Sequence, residues 1–146
     1  MSNKSVKKLK WHGMLFALLM LFLYVMGTYD LFMMLSHNAN YYNSHGYSQI
    51  VIDYFTDYPI WGLIFWIGNL VCGLISPILY LLNKNKYAYK VAITSFVCDF
   101  ILILLGIAFN NRFNVFGINV FCFDLFILFI TLLYGIYLYF TNRNKK

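Results

Sequence analysis

From Pro59 to Leu82 the chain runs PIWGLIFWIGNLVCGLISPILYLL, without one acidic or basic side chain. A helix of about 20 apolar residues crosses the roughly 30 Å hydrocarbon core of a bilayer, so this stretch is long enough to span. Its few small and polar residues, Gly62, Asn69, Gly73 and Ser76, fall on one side of a helix of 3.6 residues per turn. Large apolar side chains, chiefly Leu, Ile, Phe and Trp, dominate the rest of its surface. A segment of this kind turns its large side chains to lipid and its small stripe to neighbouring helices.

Three further apolar segments, at about 12–36, 88–109 and 117–140, complete the pattern. The expected fold is an all-α membrane protein, a bundle of four antiparallel transmembrane helices forming a single domain over 1–146. Only 11% of the residues are charged, against roughly 25% in a soluble domain, which argues for lipid as the main solvent. The basic start and apolar run at 12–36 also fit a cleaved signal peptide. That run exceeds the 7–15 residues of a signal h-region and no A-x-A-like site follows, so a retained first span is expected.

The long connection is 37–58. Its first half, rich in Asn, Tyr, His and Gly, reads as loop. From Ser48 to Tyr58, Val51, Tyr54, Phe55 and Tyr58 fall at helical spacing, which predicts a short amphipathic helix at the membrane surface in the outer loop. The segments 83–86 and 110–114 read as tight polar turns.

Ten of the eleven basic residues lie at the two ends of the chain and in the 83–90 connection, and Arg112 alone lies elsewhere. With four spans those ten share one face, so the positive-inside rule puts both termini in the cytoplasm of a cell with this protein in its plasma (inner) membrane. Lys8, Lys10, Lys84, Lys86 and Arg143 mark that face, and Trp11 and Trp61 sit where interfacial aromatics are expected. The net charge of +6 is thus a topology signal rather than a sign of nucleic acid, for which no reading motif is present.

Each span has an inward stripe: Gly13, Ala17, Tyr24 and Gly27; Gly62, Asn69, Gly73 and Ser76; Ala92, Ser95, Asp99 and Gly106; Gly117, Asp124, Thr131 and Gly135. The seven-residue steps hold each stripe on a left-handed seam. Asn69 lies ten residues from Pro59 and Asp99 ten from Phe109, so both sit about 15 Å deep and are expected to hydrogen-bond. A lone carboxylate at that depth is expected to be neutral and to donate to Asn69 or the Ser95 region. Asp30 and Asp124 are shallower, and Arg112 is expected to reach Asp124. Asn69, Ser95, Asp99, Asp124 and Thr131 form the candidate intramembrane polar cluster.

Catalytic and metal patterns are sparse. His37, His45, Asp53 and Asp57 share a connection, and Cys72, Cys98 and Asp99 share a depth. Neither set has the spacing of a metal site. No phosphate loop, nucleophile elbow or HExxH occurs. The three cysteines lie in apolar segments and read as small hydrophobic residues. No enzyme activity, metal or cofactor is expected.

The segment Tyr54-Phe-Thr-Asp-Tyr-Pro-Ile-Trp61 leads into Gly68, Gly73, Leu81-Leu82, Lys84-Asn-Lys86 and Tyr87-Ala88, with Gly27-Thr-Tyr29 in the first span. These features resemble a group of small four-span bacterial inner-membrane proteins often labelled sugar transporters. The resemblance implies the topology and a bacterial plasma-membrane location, but carries over no sugar-binding residue. The leading functional expectation is a non-enzymatic accessory or assembly subunit, working with a larger membrane protein or as a homo-oligomer. The alternative is a small proton-coupled transporter or channel component using Asp99 and Asn69.

Overall fold

The computed structural model describes residues 9–109 and 111–143 of the chain. Lys8, like Lys4, Lys7, Lys145 and Lys146, lies outside the described residues. The described residues form helices α1 (Trp11–Leu35), α2 (Ala39–Ser44), α3 (Gln49–Thr56), α4 (Ile60–Leu81), α5 (Asn85–Phe109) and α6 (Arg112–Arg143), and no strand. Helices α1, α4, α5 and α6 are each long and apolar enough to cross a membrane.

Small residues set the packing. Helix α4 lies between α1 and α5, and α5 lies between α4 and α6. Where α4 meets α5, Ser76, Ala88, Ala92 and Ser95 are all buried, and the Ser76 hydroxyl donates to the Ala88 carbonyl at 2.9 Å. Of the sixteen residues assigned to inward stripes, all are buried except Gly27, Asp124 and Gly117, which are half-buried. The opposite faces expose Leu15, Phe22, Ile64, Val71, Phe126 and Phe129.

The backbones of α1 and α6 approach each other much less closely, and side chains bridge the gap. At one end His12 and Tyr80 both bond the Tyr137 hydroxyl, at 3.1 and 3.3 Å, while the rings of Phe16 and Tyr134 meet edge to face at 5.0 Å. At the other end α3 packs on both α1 and α6.

Three boundaries differ from the sequence reading, and one helix buries its apolar face in an unexpected place, each for a local reason. The stretch read as loop after the first span contains α2, whose first turn is capped by Asn38: its Oδ1 accepts from the Tyr41 N–H at 3.0 Å. Tyr41 and Tyr42 give this short helix a buried side, and the Tyr42 hydroxyl donates to the Met34 carbonyl at 2.8 Å. Helix α3 forms near the expected bounds, but its Val51 and Phe55 are buried among Met34, Tyr41 and Tyr42, with Trp66 and Phe116 alongside. Its apolar face is therefore buried within the protein. The turn before α5 is shorter than expected: Asn83 takes φ 61°, and the Lys84 carbonyl already accepts from Tyr87 and Ala88. Helix α6 starts at Arg112, five residues early, and is interrupted at Gly117, where φ is 76° and ψ −179°.

Candidate functional site

Gly73 is where the interior site begins. A methyl group there would lie inside the Tyr24 ring, so glycine is what seats that tyrosine between α1 and α4. The seated Tyr24 hydroxyl lies 2.8 Å from Ser95 Oγ and 3.4 Å from Thr131 Oγ1, touching α5 and α6 at once. Thr131 gives its own proton to the Ile127 carbonyl at 2.9 Å.

Ser95 is wholly buried, and its oxygen lies 2.7 Å from Asn69 Oδ1 and 2.9 Å from the Asn69 carbonyl. A hydroxyl has one proton, so Ser95 donates to Asn69 and accepts from Tyr24. With Oδ1 taken by Ser95, the Asn69 amide turns Nδ2 to Asp99 and donates to Oδ1 at 3.0 Å. The expected Asn69–Asp99 contact is present, but the donor is the amide, not the carboxyl. The direction corrects the sequence reading, and its cause is Ser95. Donation runs from Tyr24 through Ser95 and Asn69 to Asp99, whose Oδ2 is buried without a hydrogen-bond partner.

Asp99 is not isolated. It lines a cavity of about 290 Å³ with Asn69, Tyr24, Asp30, Arg112, Asp124 and Thr131. Arg112 Nε donates to Asp124 Oδ2 at 2.9 Å, and its terminal nitrogen donates to Oδ1 at 3.2 Å, while the guanidinium sits 4.9 Å over the Phe116 ring. Arg112 precedes Asp124 by twelve residues, about 18 Å along an unbroken helix, too far for such a pair. The break at Gly117 folds the first turn of α6 back and closes that distance. Gly106, opposite, leaves room for the Arg112 stem: a methyl there would come within 3.2 Å of Arg112 Cδ.

Tyr47, Phe55, Tyr58 and Phe116 cover the end of the cavity next to α3. The Tyr41 hydroxyl donates to Asp30 Oδ1 at 2.6 Å. Burial first, and the adjacent Asp30 carboxylate second, push the Tyr41 phenol above its ordinary range, so it remains a donor. Burial likewise raises Tyr58, opposed in part by Arg112.

The cavity thus gathers four of the five residues of the candidate cluster, Asn69, Asp99, Asp124 and Thr131, adding Asp30, Arg112 and an aromatic wall, while Ser95 lies behind it, bonded to Asn69 and Tyr24. Tyr47 and Trp66 had no assigned role, Tyr24 and Gly117 were placed only on inward stripes, and Tyr58 only on the helix of the outer connection. Tyr24 was legible as the large residue facing a glycine stripe; the others depend on how the 37–58 segment folds back. The histidines go elsewhere: His37 Nε2 lies 3.3 Å from Thr56 Oγ1 and His45 Nδ1 lies 2.9 Å from the Tyr41 carbonyl. Among the described residues, no three His, Cys, Asp or Glu side chains converge as a metal would require, and Cys72, Cys98 and Cys122 are free thiols. Lys10, Lys84, Lys86 and Arg143 are exposed, as is Trp11, whereas Trp61 is half-buried.

Fold and site together define a bundle of four helices, each long and apolar enough to cross a membrane, around a largely apolar cavity with carboxylate groups on its walls. Compared with family models, characterised proteins and solved structures, the chain matches none.

Proposed function

We propose that the chain is a component of a proton- or cation-coupled membrane transport system, with Asp99 and Asn69 as the coupling centre. One observation carries this reading: a carboxylate inside an interior cavity, held on one oxygen by Asn69 and open on the other. A carboxylate at such depth is stable with a proton or with a cation, and costly with neither. Exchange of one for the other at Asp99 Oδ2 is the step that would couple two fluxes. The protein is not an enzyme in this reading and needs no cofactor.

In this reading the four long helices run alternately up and down through the plasma membrane of a bacterium. The end bearing Lys10, Lys84, Lys86 and Arg143 is cytoplasmic, and α2 and α3 cover the cavity from outside. The concentration of basic residues supports that orientation, and C-terminal reporter fusions active only in the cytoplasm test it. Four helices enclose little, so the transporting unit is a homo-oligomer or a complex with a larger membrane protein. The decisive test is cation or proton flux in proteoliposomes: flux present in the native chain and abolished in Asp99→Asn supports the proposal, and equal flux in both overturns it.

The accessory-subunit reading retains one specific support. An apolar groove along α4, lined by Ile60, Ile64, Ile67, Gly68, Val71 and Cys72, offers close approach at glycine to a helix of another protein. Stoichiometric co-purification with a larger membrane protein, indifferent to Asp99→Asn, would favour it.

A further inference from the structure

We propose that the interior cavity binds a small organic ammonium ion, with Asp99 as its counter-ion; this rests on the cavity being the ligand site of the transport reading. Charge is the first reason. The walls carry three carboxylates, Asp30, Asp99 and Asp124, against one guanidinium. Arg112 is committed at two points to Asp124 and lies over Phe116, so it is poorly placed to take an anion. Asp30 accepts from Tyr41. Asp99 is 8% exposed, and its Oδ2 has no partner, leaving a buried acceptor on the cavity wall that an N⁺–H donor would satisfy.

The walls supply the second reason. Tyr47, Tyr58 and Trp66 line the space, the Phe116 face being taken by Arg112, and aromatic faces attract organic cations. A bare metal ion needs several oxygen ligands converging at bonding distance, and the described residues hold no such cluster. A sugar needs many paired donors and acceptors, yet Asn69 and Ser95 are bonded to each other and to Tyr24 and Asp99. Size agrees too. A volume of about 290 Å³ holds about ten waters, or an organic ion of about ten non-hydrogen atoms.

The test measures binding of labelled phenethylammonium to the full chain in lipid nanodiscs, counting only the saturable component absent from empty discs. Three isosteric probes compete: the ammonium itself, neutral 2-phenylethanol and anionic 3-phenylpropionate. One saturable site per chain is expected, with the ammonium preferred over the alcohol by on the order of tenfold or more. Asp99→Asn should weaken it by at least a similar factor, while Asp99→Glu keeps it. Competition by the alcohol or by glucose as strong as by the ammonium overturns the proposal, and so does the lack of any saturable component. The selectivity of the native chain decides the matter even if Asp99→Asn does not fold. Proton flux that depends on Asp99, without saturable ammonium binding, removes the ligand class and leaves the transport reading standing. Saturable ammonium binding without flux does the reverse.

Discussion

Replacing Gly117 with alanine tests how the ion pair at the cavity is assembled. At φ 76° and ψ −179° the backbone lies in a region open to glycine and closed to residues with a Cβ. No atom lies within 4 Å of the position a methyl would take, so any cost comes from the backbone alone. Holding alanine in that conformation costs about 1–3 kcal/mol. The chain has one escape, which is to straighten the helix and carry Arg112 about 18 Å along the axis from Asp124. That route loses a two-point ion pair whose side chains are 25% and 19% exposed. Breaking a fully buried pair costs about 3–5 kcal/mol and an exposed one about 1 or less. Partial exposure puts this pair near the middle, at about 2 kcal/mol. Both routes therefore cost alike, and Gly117→Ala should lose about 1–3 kcal/mol by either.

Unfolding in mixed micelles of dodecylmaltoside and SDS, followed by far-UV circular dichroism, measures that loss. Gly68→Ala is the control: its methyl meets Cys98 Sγ at 3.4 Å, an ordinary contact, and its effect should stay within about 0.5 kcal/mol. Combining Gly117→Ala with Arg112→Gln separates the two routes. Additive losses mean that the strained break persists, and a second substitution without further cost means that the helix has straightened. The reasoning fails if Gly117→Ala is as mild as the control while Arg112→Gln still carries its full cost on that background.

Other substitutions probe other joints. Gly73→Ala should destabilise by about 2–3 kcal/mol, from overpacking against Tyr24 and a lost hydroxyl contact; the same micelle titration should show relief when Tyr24→Leu is added, and no relief would mean that the ring does not occupy the glycine notch. Reversing either charge of the Arg112–Asp124 pair should lower the yield of folded protein, and reversing both should restore most of it, the new acid at position 112 also suiting a helix N-terminus; a double variant no better than the worse single one removes the pair as a stabilising contact. Tyr41 has its phenol raised above 10.0 by burial and by Asp30, so its stabilising effect is whole below pH 10 and declines at higher pH, as the unfolded phenol releases a proton that the folded one keeps. Tyr41→Phe should flatten that alkaline decline in unfolding free energy measured from pH 8 to 11, and an unchanged decline would assign it to other groups.

The spans and their inward faces were legible because lipid imposes a strong sorting of side chains. A helix surrounded by acyl chains can place Asn69, Ser95 or Asp99 only against other helices, so periodicity alone located them. That Asn69 and Asp99 meet was legible through the fixed rise of 1.5 Å per residue. Donor direction was not, because it depends on Ser95 reaching Asn69 Oδ1 before Asp99 is considered. The role of Gly117 was hidden as well. Periodicity treats glycine as a small inward residue, and nothing in the residue series marks a positive φ. Helix α2 was missed for a third reason: its six residues are too few for a period, and its support comes from Asn38 and from packing on α1.

The weak contact between α1 and α6 links these details to the proposed role. Small residues let α1, α4, α5 and α6 pack in sequence, but Phe16, Tyr134 and Tyr137 hold the first and last helices apart along a seam, and both helices border the cavity, whose walls come from all four long helices. One end of the seam is closed by aromatic rings and two hydroxyl contacts to Tyr137. The other is closed by α3 and the Arg112–Asp124 pair. A bundle needing only stability would gain by filling the seam, since an unfilled apolar space costs about 24 cal/mol per Å³. The cavity beside it is instead lined by Asp30, Asp99 and Asp124, groups that lipid rejects. A carboxylate-lined space bordered by the two least tightly joined helices is where a solute could enter with the smallest loss of backbone packing. That arrangement is why the cavity, rather than the small-residue stripes, carries the functional reading.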